Sequence, residues 1–324
     1  DLPEQLSSEW NIGLPLDFRD STKAVCTLKK LAEHEPVAAV IALDDAASVV
    51  AAQASAQLGL PHNSPGAALA ARDKLIMRDR LRGGGVLCPG FSAFPLHADP
   101  PEIAAKSSYP CVLTPLLLNG SRGVIRANNP MEFETAWKRI SAILRKSVGT
   151  RILVEPYIPG KESAVEALLG EGGLRVLAIF DKPDPLEGPF FEETIYVAPA
   201  RIDDVTRREM LEVIGGVCRA IGLHHGPVHA ECRVNEGGIW VIELAARTIG
   251  GQCARLLEMA LGVTLEEVVL TYAVGGKFKV PGSVSAVGVM MIPVPKGGIL
   301  RLSLIHISEP TRPRLISYAV FCLK

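Results

Sequence analysis

The sequence predicts an α/β protein, and three observations carry that expectation. β-type runs are followed by helix-length patterns, as where Val37 to Leu43 gives way to the alanine-rich stretch from Ala46 to Leu58. Residues 226–251, GPVHAECRVNEGGIWVIELAARTIGG, read as two strands around a turn of Asn235, Glu236, Gly237 and Gly238. With 324 residues, 48% of them hydrophobic, the chain can bury the core of two or three domains.

Taken in order, Gly13 to Phe18 is the first strand candidate and Val37 to Leu43 the second. Asp44 and Asp45 can cap the helix that Gly59 ends. Ser64 as N-cap and Pro65 at the first helical position start a further helix, which is expected to run through Ala71-Arg72-Asp73-Lys74 to Arg82, with Gly83, Gly84 and Gly85 closing it. A domain boundary is placed near residue 70. Tyr109 to Leu118 is a strand leading into Asn119-Gly120-Ser121-Arg122-Gly123. That turn can wrap backbone N–H groups around phosphates, or be a plain turn with an exposed arginine. Met131 to Lys146 has helical spacing, with Phe133, Trp137, Ile140 and Leu144 on one face. Arg151 to Ile158 and Ser163 to Leu169 are strands, and Asp181 to Glu193 is a polar-aromatic loop, either a lid or a connection. Helices are expected from Val205 to Ile221, stopped by Gly222, and from Gln252 to Leu261, with a capping box at Thr264 and Glu267 opening the next.

The bulk numbers exclude several classes. A formal net charge of -1 argues against nucleic acid or an anionic membrane as the main partner. No apolar run approaches the roughly 18 residues of a membrane span, and no signal peptide opens the chain. The seven cysteines are scattered without a C-x-x-C pair, which fits reduced thiols and a cytoplasmic location. At the ends, an α/β domain is expected to begin before Gly13. Leu302 to Arg312 and Ile316 to Lys324 read as the in-frame translation of a transposase-type sequencing adapter, so residues 302–324 are expected to be a non-native tail.

The hairpin register decides where its charges go. If the loop is NEGG, Val234 pairs with Ile239 and Glu243 shares a face with Ala230 and Cys232, a buried unpaired charge. If the loop takes five residues, Val234 pairs with Trp240 and Glu231 pairs with Glu243. Ala230, Cys232, Val234, Trp240, Ile242 and Leu244 then form one face, and His229, Glu231, Arg233 and Glu243 the other. Burial favours this second register. It sets two carboxylates roughly 5 Å apart at Cβ, which calls for a cation between them. Carboxylate oxygens alone favour Mg²⁺ or Mn²⁺ over zinc.

With ARDK at 71–74, GSRGVIRA at 120–127, VEPYIPGKE at 154–162 and ELAARTIGG closing the hairpin, the chain resembles the ATP-grasp superfamily of carboxylate-amine ligases. Within it, the chain resembles the amino-acid ligase branch, which includes dipeptide and carnosine synthases. The resemblance spans roughly residues 1–301. It implies a partial Rossmann-like pre-grasp domain over 1–70, a small ATP-grasp lobe over 71–158 and a large lobe over 159–301. By the same resemblance, Lys74 contacts ATP phosphate, and Ser121, Arg122 and Gly123 lie in the phosphate-covering loop. Glu155 receives the adenine amino group, the Tyr157 and Ile158 backbone reads the adenine edge, and Glu162 binds ribose. Glu231 and Glu243 hold magnesium, and Arg247 steadies the phosphorylated carboxylate. His229, on the same hairpin face, either accepts the amine proton or is structural. The implied partners are ATP, a small carboxylate and a small amine, with a homodimer left open.

Two positions depart from the family pattern. Thr114 stands where a second phosphate-binding lysine is usual, and a hydroxyl cannot replace an ammonium beside polyphosphate. One nucleotide separates the two codons, so a sequence error and a divergent site both stand. Ala245 replaces an asparagine that often completes the metal site. The readings in competition are therefore an amide-forming ligase, a nucleotide-binding module without turnover, and an acyl-phosphate enzyme of the biotin-carboxylase or purine-biosynthetic kind.

Overall fold

A computed structural model describes residues 13–145, 150–277, 285–293 and 321–322, so the expected non-native tail, 302–324, lies outside the described residues but for a two-residue strand. At the N-terminal end, α1 (Ser21–Ala32) packs on α2 (Asp45–Leu58) through Ala24, Val25, Val50 and Ala54. Asp44 caps α2 by accepting from the Ala47 N–H at 2.8 Å, and Gly59 ends it at φ 68°, both as the sequence predicts. The strands expected at Gly13–Phe18 and Val37–Leu43 are not found. These segments run without ladder partners. A β-type run becomes a strand only when a neighbour takes up its N–H and C=O groups, and no described strand pairs with them.

One helix was expected from Pro65 to Arg82; there are two, α3 (Pro65–Arg72) and α4 (Lys74–Gly83). Asp73 makes the break. Its backbone is extended at ψ 111°, and its carboxylate accepts from the N–H groups of Leu75 and Ile76. An aspartate that caps a new helix competes with continuation of the old one. The consequence is functional, because Lys74 becomes the first residue of α4.

Four strands, β1 (Ser92–Pro95), β2 (Cys111–Pro115), β3 (Ile125–Ala127) and β4 (Arg151–Pro156), form an antiparallel sheet in the order β1-β4-β2-β3. The helices α5 (Pro100–Lys106) and α6 (Pro130–Leu144) belong to this unit. Phe133, Trp137, Ile140 and Leu144 pack with Leu113, Ile152 and Val154, as their spacing predicts.

The larger antiparallel sheet is built from β5 (Lys161–Gly170), β6 (Gly173–Asp181), β7 (Ile195–Ala198), β8 (Gly226–Asn235), β9 (Gly238–Ala245) and β10 (Val287–Met290), in the order β10-β7-β6-β5-β8-β9. Both faces are covered. Val165 and Leu169 point toward α3, α4 and α7 (Asp204–Ile221), while Ala164 and Leu168 point toward α8 (Cys253–Leu261) and α9 (Leu265–Ala273). The boundary placed near residue 70 falls within α3, and both α3 and α4 pack on the large sheet. No helix among the described residues is long and apolar enough to cross a membrane.

The hairpin corrects one expectation and keeps its consequence. The loop is not five residues long: Val234 pairs with Ile239 and Asn235 with Gly238, leaving only Glu236 and Gly237 at the tip. Asn235 fixes this turn by accepting from the Gly237 N–H at 2.8 Å and the Trp240 indole at 3.1 Å. Farther along, Cys232 pairs with Val241 but Glu231 pairs with Glu243, so Ile242 is an extra, bulged residue. Trp240 and Ile242 are consequently not core residues. Ile239 and Val241 take their places beside Ala230, Cys232 and Leu244. The bulge restores the pairing of the two carboxylates and keeps Glu243 out of the core, its side chain 27% exposed.

Candidate active site

Nine residues singled out in the sequence line one cavity: Lys74, Thr114, Ser121, Glu155, Tyr157, Ile158, Glu162, Glu231 and Glu243. A second cavity of about 310 Å³ is lined by Ser121, His229, Glu231, Glu243 and Arg247, with Glu193 and Tyr196. Ser121, Glu231 and Glu243 border both. Arg122 is not brought in with them, being exposed on the loop between β2 and β3.

That loop sets consecutive residues in the left-handed region, Gly120 at φ 58° and Ser121 at φ 53°, and Gly123 follows at 81°. A Cβ on Gly123 would lie 2.9 Å from Pro115 Cγ, so only glycine fits there. From the other side, the Lys74 ammonium donates to the Leu118 carbonyl at 3.0 Å and lies 3.2 Å from Glu243 Oε1. Thr114 is buried in the wall beside them, with no charge to offer a phosphate.

Glu155 is held by a residue that sequence reasoning missed. Arg78 donates from Nε to Glu155 Oε1 at 2.6 Å, and its two terminal nitrogens reach the Val241 and Ile242 carbonyls at 3.1 and 2.8 Å. The bulge presents those two carbonyls side by side, so Arg78 seats on the irregularity that sets the hairpin register. Its position four residues after Lys74, on the same helix face, was the available signal.

On β5, Glu162 accepts from Lys182 Nζ and from Arg233 Nε, both at 2.8 Å. Arg233 also donates to the Ile158 carbonyl at 2.7 Å and to Leu186 at 2.6 Å, and its guanidinium lies against the Tyr157 and Phe191 rings, which stack on each other. The Tyr157 N–H is engaged with the Pro110 carbonyl. The 181–193 loop thereby crosses the site: Arg126 donates to the Glu187 carbonyl, and Ile125 bridges Phe190.

Behind the hairpin, His229 lies between two carboxylates, 3.4 Å from Glu166 and 3.5 Å from Glu231. Burial opposes its protonation, but the hydrogen bonds and charges of Glu166 and Glu231 outweigh burial and push the ring up to about 9. Glu166 is fully buried, and burial raises it against the opposing pull of His229 and the Ile249 N–H. Burial likewise works against Glu231, yet Lys182 and His229 hold it well below the usual carboxylate range. Arg247 meets Asp45 of α2 through two parallel bonds and lies on the rim of the second cavity.

The donor set at Glu231 and Glu243 fits a hard divalent cation. It consists of two opposed carboxylates with only oxygen atoms to offer, bordering both cavities.

Comparison with known proteins identifies the class these features define. Residues 107–255 match the ATP-grasp domain and residues 2–62 match the ATP-grasp N-terminal domain; the chain belongs to the ATP-grasp superfamily. Within it, the chain is similar to amino-acid ligases. The L-amino acid ligase of Bacillus licheniformis superposes with a TM-score of 0.72 at 29% identity, over 86% of this chain and 69% of that one. Alanine–anticapsin ligase of Bacillus subtilis is 24% identical over 70% of this chain and 52% of its own length. Dapdiamide A synthase of Enterobacter agglomerans is 26% identical over 60% of this chain and 46% of its own. The chain thus spans about half the length of these curated relatives.

Proposed function

We propose that the protein is an ATP-dependent ligase that joins a carboxylate to an amine, with an amino acid or similar small molecule as substrate. The observation that carries this reading is the shared border of the two cavities. Ser121, Glu231 and Glu243 lie between a pocket with nucleotide-binding character and one that ends at Arg247. A phosphoryl group passing from one pocket to the other would cross that border.

In this reading the adenine lies near Glu155, Tyr157 and Ile158, the ribose near Glu162, and the phosphates near Lys74 and the 119–123 loop. An oxygen of the substrate carboxylate attacks the γ-phosphorus, the bond to the β-γ bridging oxygen breaks, and ADP leaves an acyl phosphate. The amine nitrogen then attacks the acyl carbon, phosphate departs, and the nitrogen loses a proton to give the amide. No covalent nucleophile on the protein is needed. Mg²⁺ or Mn²⁺, held by Glu231 and Glu243, would supply positive charge to the transferring phosphoryl oxygens. Lys74 does the same from the α4 N-terminus, and Arg247 holds the negative charge of the activated carboxylate. His229, kept as imidazolium, fixes Glu231 in place.

A second reading has its own observation. Thr114 puts no charge into the phosphate end of the nucleotide cavity, which favours a nucleotide-binding module without turnover. The test is amine-dependent ADP release over a mixture of amino acids, for the protein and for Thr114→Lys. Release by both supports the ligase, release by the lysine form alone supports an impaired site, and release by neither overturns the ligase reading. ADP release that needs bicarbonate and no amine would instead indicate a carboxylase-type reaction.

A further inference from the structure

Lys182 follows the last residue of β6, and its side chain is 2% exposed. Its ammonium donates to Glu162 Oε1 at 2.8 Å and to Glu193, and lies 3.1 Å from Glu231 Oε1. One oxygen from each of these three carboxylates falls within 4.8 Å of the other two. Carboxylates at that spacing repel unless a cation sits among them, and oxygens so arranged can ligate a divalent ion. The Tyr196 ring, 5.2 Å from the ammonium, completes the surroundings.

We propose that Lys182 is a built-in cation that fills this position, keeps a divalent ion out of it, and confines metal to the Glu231–Glu243 side of the hairpin. Glu231 belongs to both positions. Its Oε1 is taken by Lys182 and by His229, which leaves Oε2 for a metal. A tethered ammonium has one charge and no exchangeable ligands, so it preassembles Glu162 and Glu231 before nucleotide arrives. Lys182 is in this sense a positioning residue. Its role rests on reading Glu231 and Glu243 as metal ligands.

The experiment counts Mn²⁺ ions per chain by equilibrium dialysis, without nucleotide or turnover, alongside thermal unfolding with and without millimolar Mn²⁺. Lys182→Gln is expected to bind one more Mn²⁺ than the unaltered protein and to gain a Mn²⁺-dependent rise in Tm. Lys182→Gln/Glu193→Gln, which leaves two of the three acids, is expected to lose that extra ion. Equal stoichiometry in the unaltered protein and Lys182→Gln overturns the proposal, as does an extra ion that persists in the double variant. If Lys182→Gln purifies unfolded, refolding on addition of Mn²⁺ supports the proposal and failure to refold overturns it. Glu231→Gln separates the two levels. Mn²⁺ binding that survives it in an otherwise unaltered chain removes the metal-ligand reading, while the Lys182 comparison is still read from its own difference in stoichiometry.

Discussion

Asp45 and Arg247, 202 positions apart, join the first residue of α2 to the segment that follows β9 through two parallel bonds: Nε to Oδ1 at 3.1 Å and Nη2 to Oδ2 at 3.0 Å. Asn119 of the loop between β2 and β3 donates to the same carboxylate at 3.0 Å, so one aspartate ties three segments together. Burial pushes the Asp45 carboxyl up, but the charge and hydrogen bonds of Arg247 outweigh it and hold the group below the ordinary value of 3.8. A depressed carboxylate contributes stability above its unfolded value and loses it as pH falls through the folded one. Asp45→Asn is therefore expected to cost about 2 kcal/mol near neutral pH, the scale of a hydrogen-bonded charged pair. The gap between variant and unaltered protein should close below pH 3.8. Urea unfolding at a series of pH values measures both, and a gap that stays constant into acid removes the ionic explanation.

Thr114 gives a prediction of opposite sign. Its neighbours along the cavity include Glu155, Glu231 and Glu243, so an ammonium at this position would meet carboxylates as well as nucleotide phosphate. Thr114→Lys should tighten ADP binding by roughly tenfold, about the 1.4 kcal/mol expected of one added charged contact. Isothermal titration with Mg·ADP checks this. Unchanged affinity would mean that the phosphates do not pass Thr114.

Arg78 is buried, with 3% exposure, and its three bonds go to Glu155 and to the carbonyls of Val241 and the bulged Ile242. Replacing it with Met leaves Glu155 charged and unpaired in the wall of the cavity. The expected loss is about 3–5 kcal/mol, the scale for breaking a buried pair from one side. Arg78→Met/Glu155→Gln should recover part of it, because the stranded charge is gone. Chemical denaturation of both variants is the measurement, and a double variant no better than the single would assign the loss to the two carbonyls.

Features set by nearest neighbours are the ones the sequence discloses. The caps at Asp44, Ser64 and Thr264 and the stops at Gly59 and Gly222 depend on residues within one turn of the chain, and each falls at or next to the place its composition indicates. The opposition of Glu231 and Glu243 is legible because burial keeps Glu243 off the face of Ala230 and Cys232, although the turn itself takes the Val234–Ile239 pairing that the same reasoning set aside. The bulge at Ile242 is not legible, since one extra residue leaves no mark on composition, and a long loop explains the same pairing. The same burial argument applied to VEALL would have singled out Glu166. The partners of Arg78 were not legible for a different reason, and neither was Lys182: Arg78 meets β4 and β9, 77 to 164 positions away, and Lys182 meets Glu162 of β5 and Glu231 of β8, contacts that no local period records.

Glu243 is the residue on which the ligase reading can be tested most directly. It closes the shared border of the two cavities, pairs with Lys74 at 3.2 Å, and reaches solvent more than Glu231 does, with side-chain exposures of 27% and 17%. Glu243→Gln keeps the shape and removes the charge, so folding should be little affected, while Lys74 loses its counter-charge. Turnover is expected to fall roughly 10²-fold, the scale for removing one preorganised electrostatic group. The Mg²⁺ concentration for half-maximal rate should rise with it, because a neutral amide is a poorer ligand for a hard cation. Steady-state ADP release across a Mg²⁺ series separates these effects. A lower rate at unchanged Mg²⁺ dependence would place Glu243 beside Lys74 as a charge partner only, and the metal would then have to be held by Glu231 and groups other than its cross-strand neighbour.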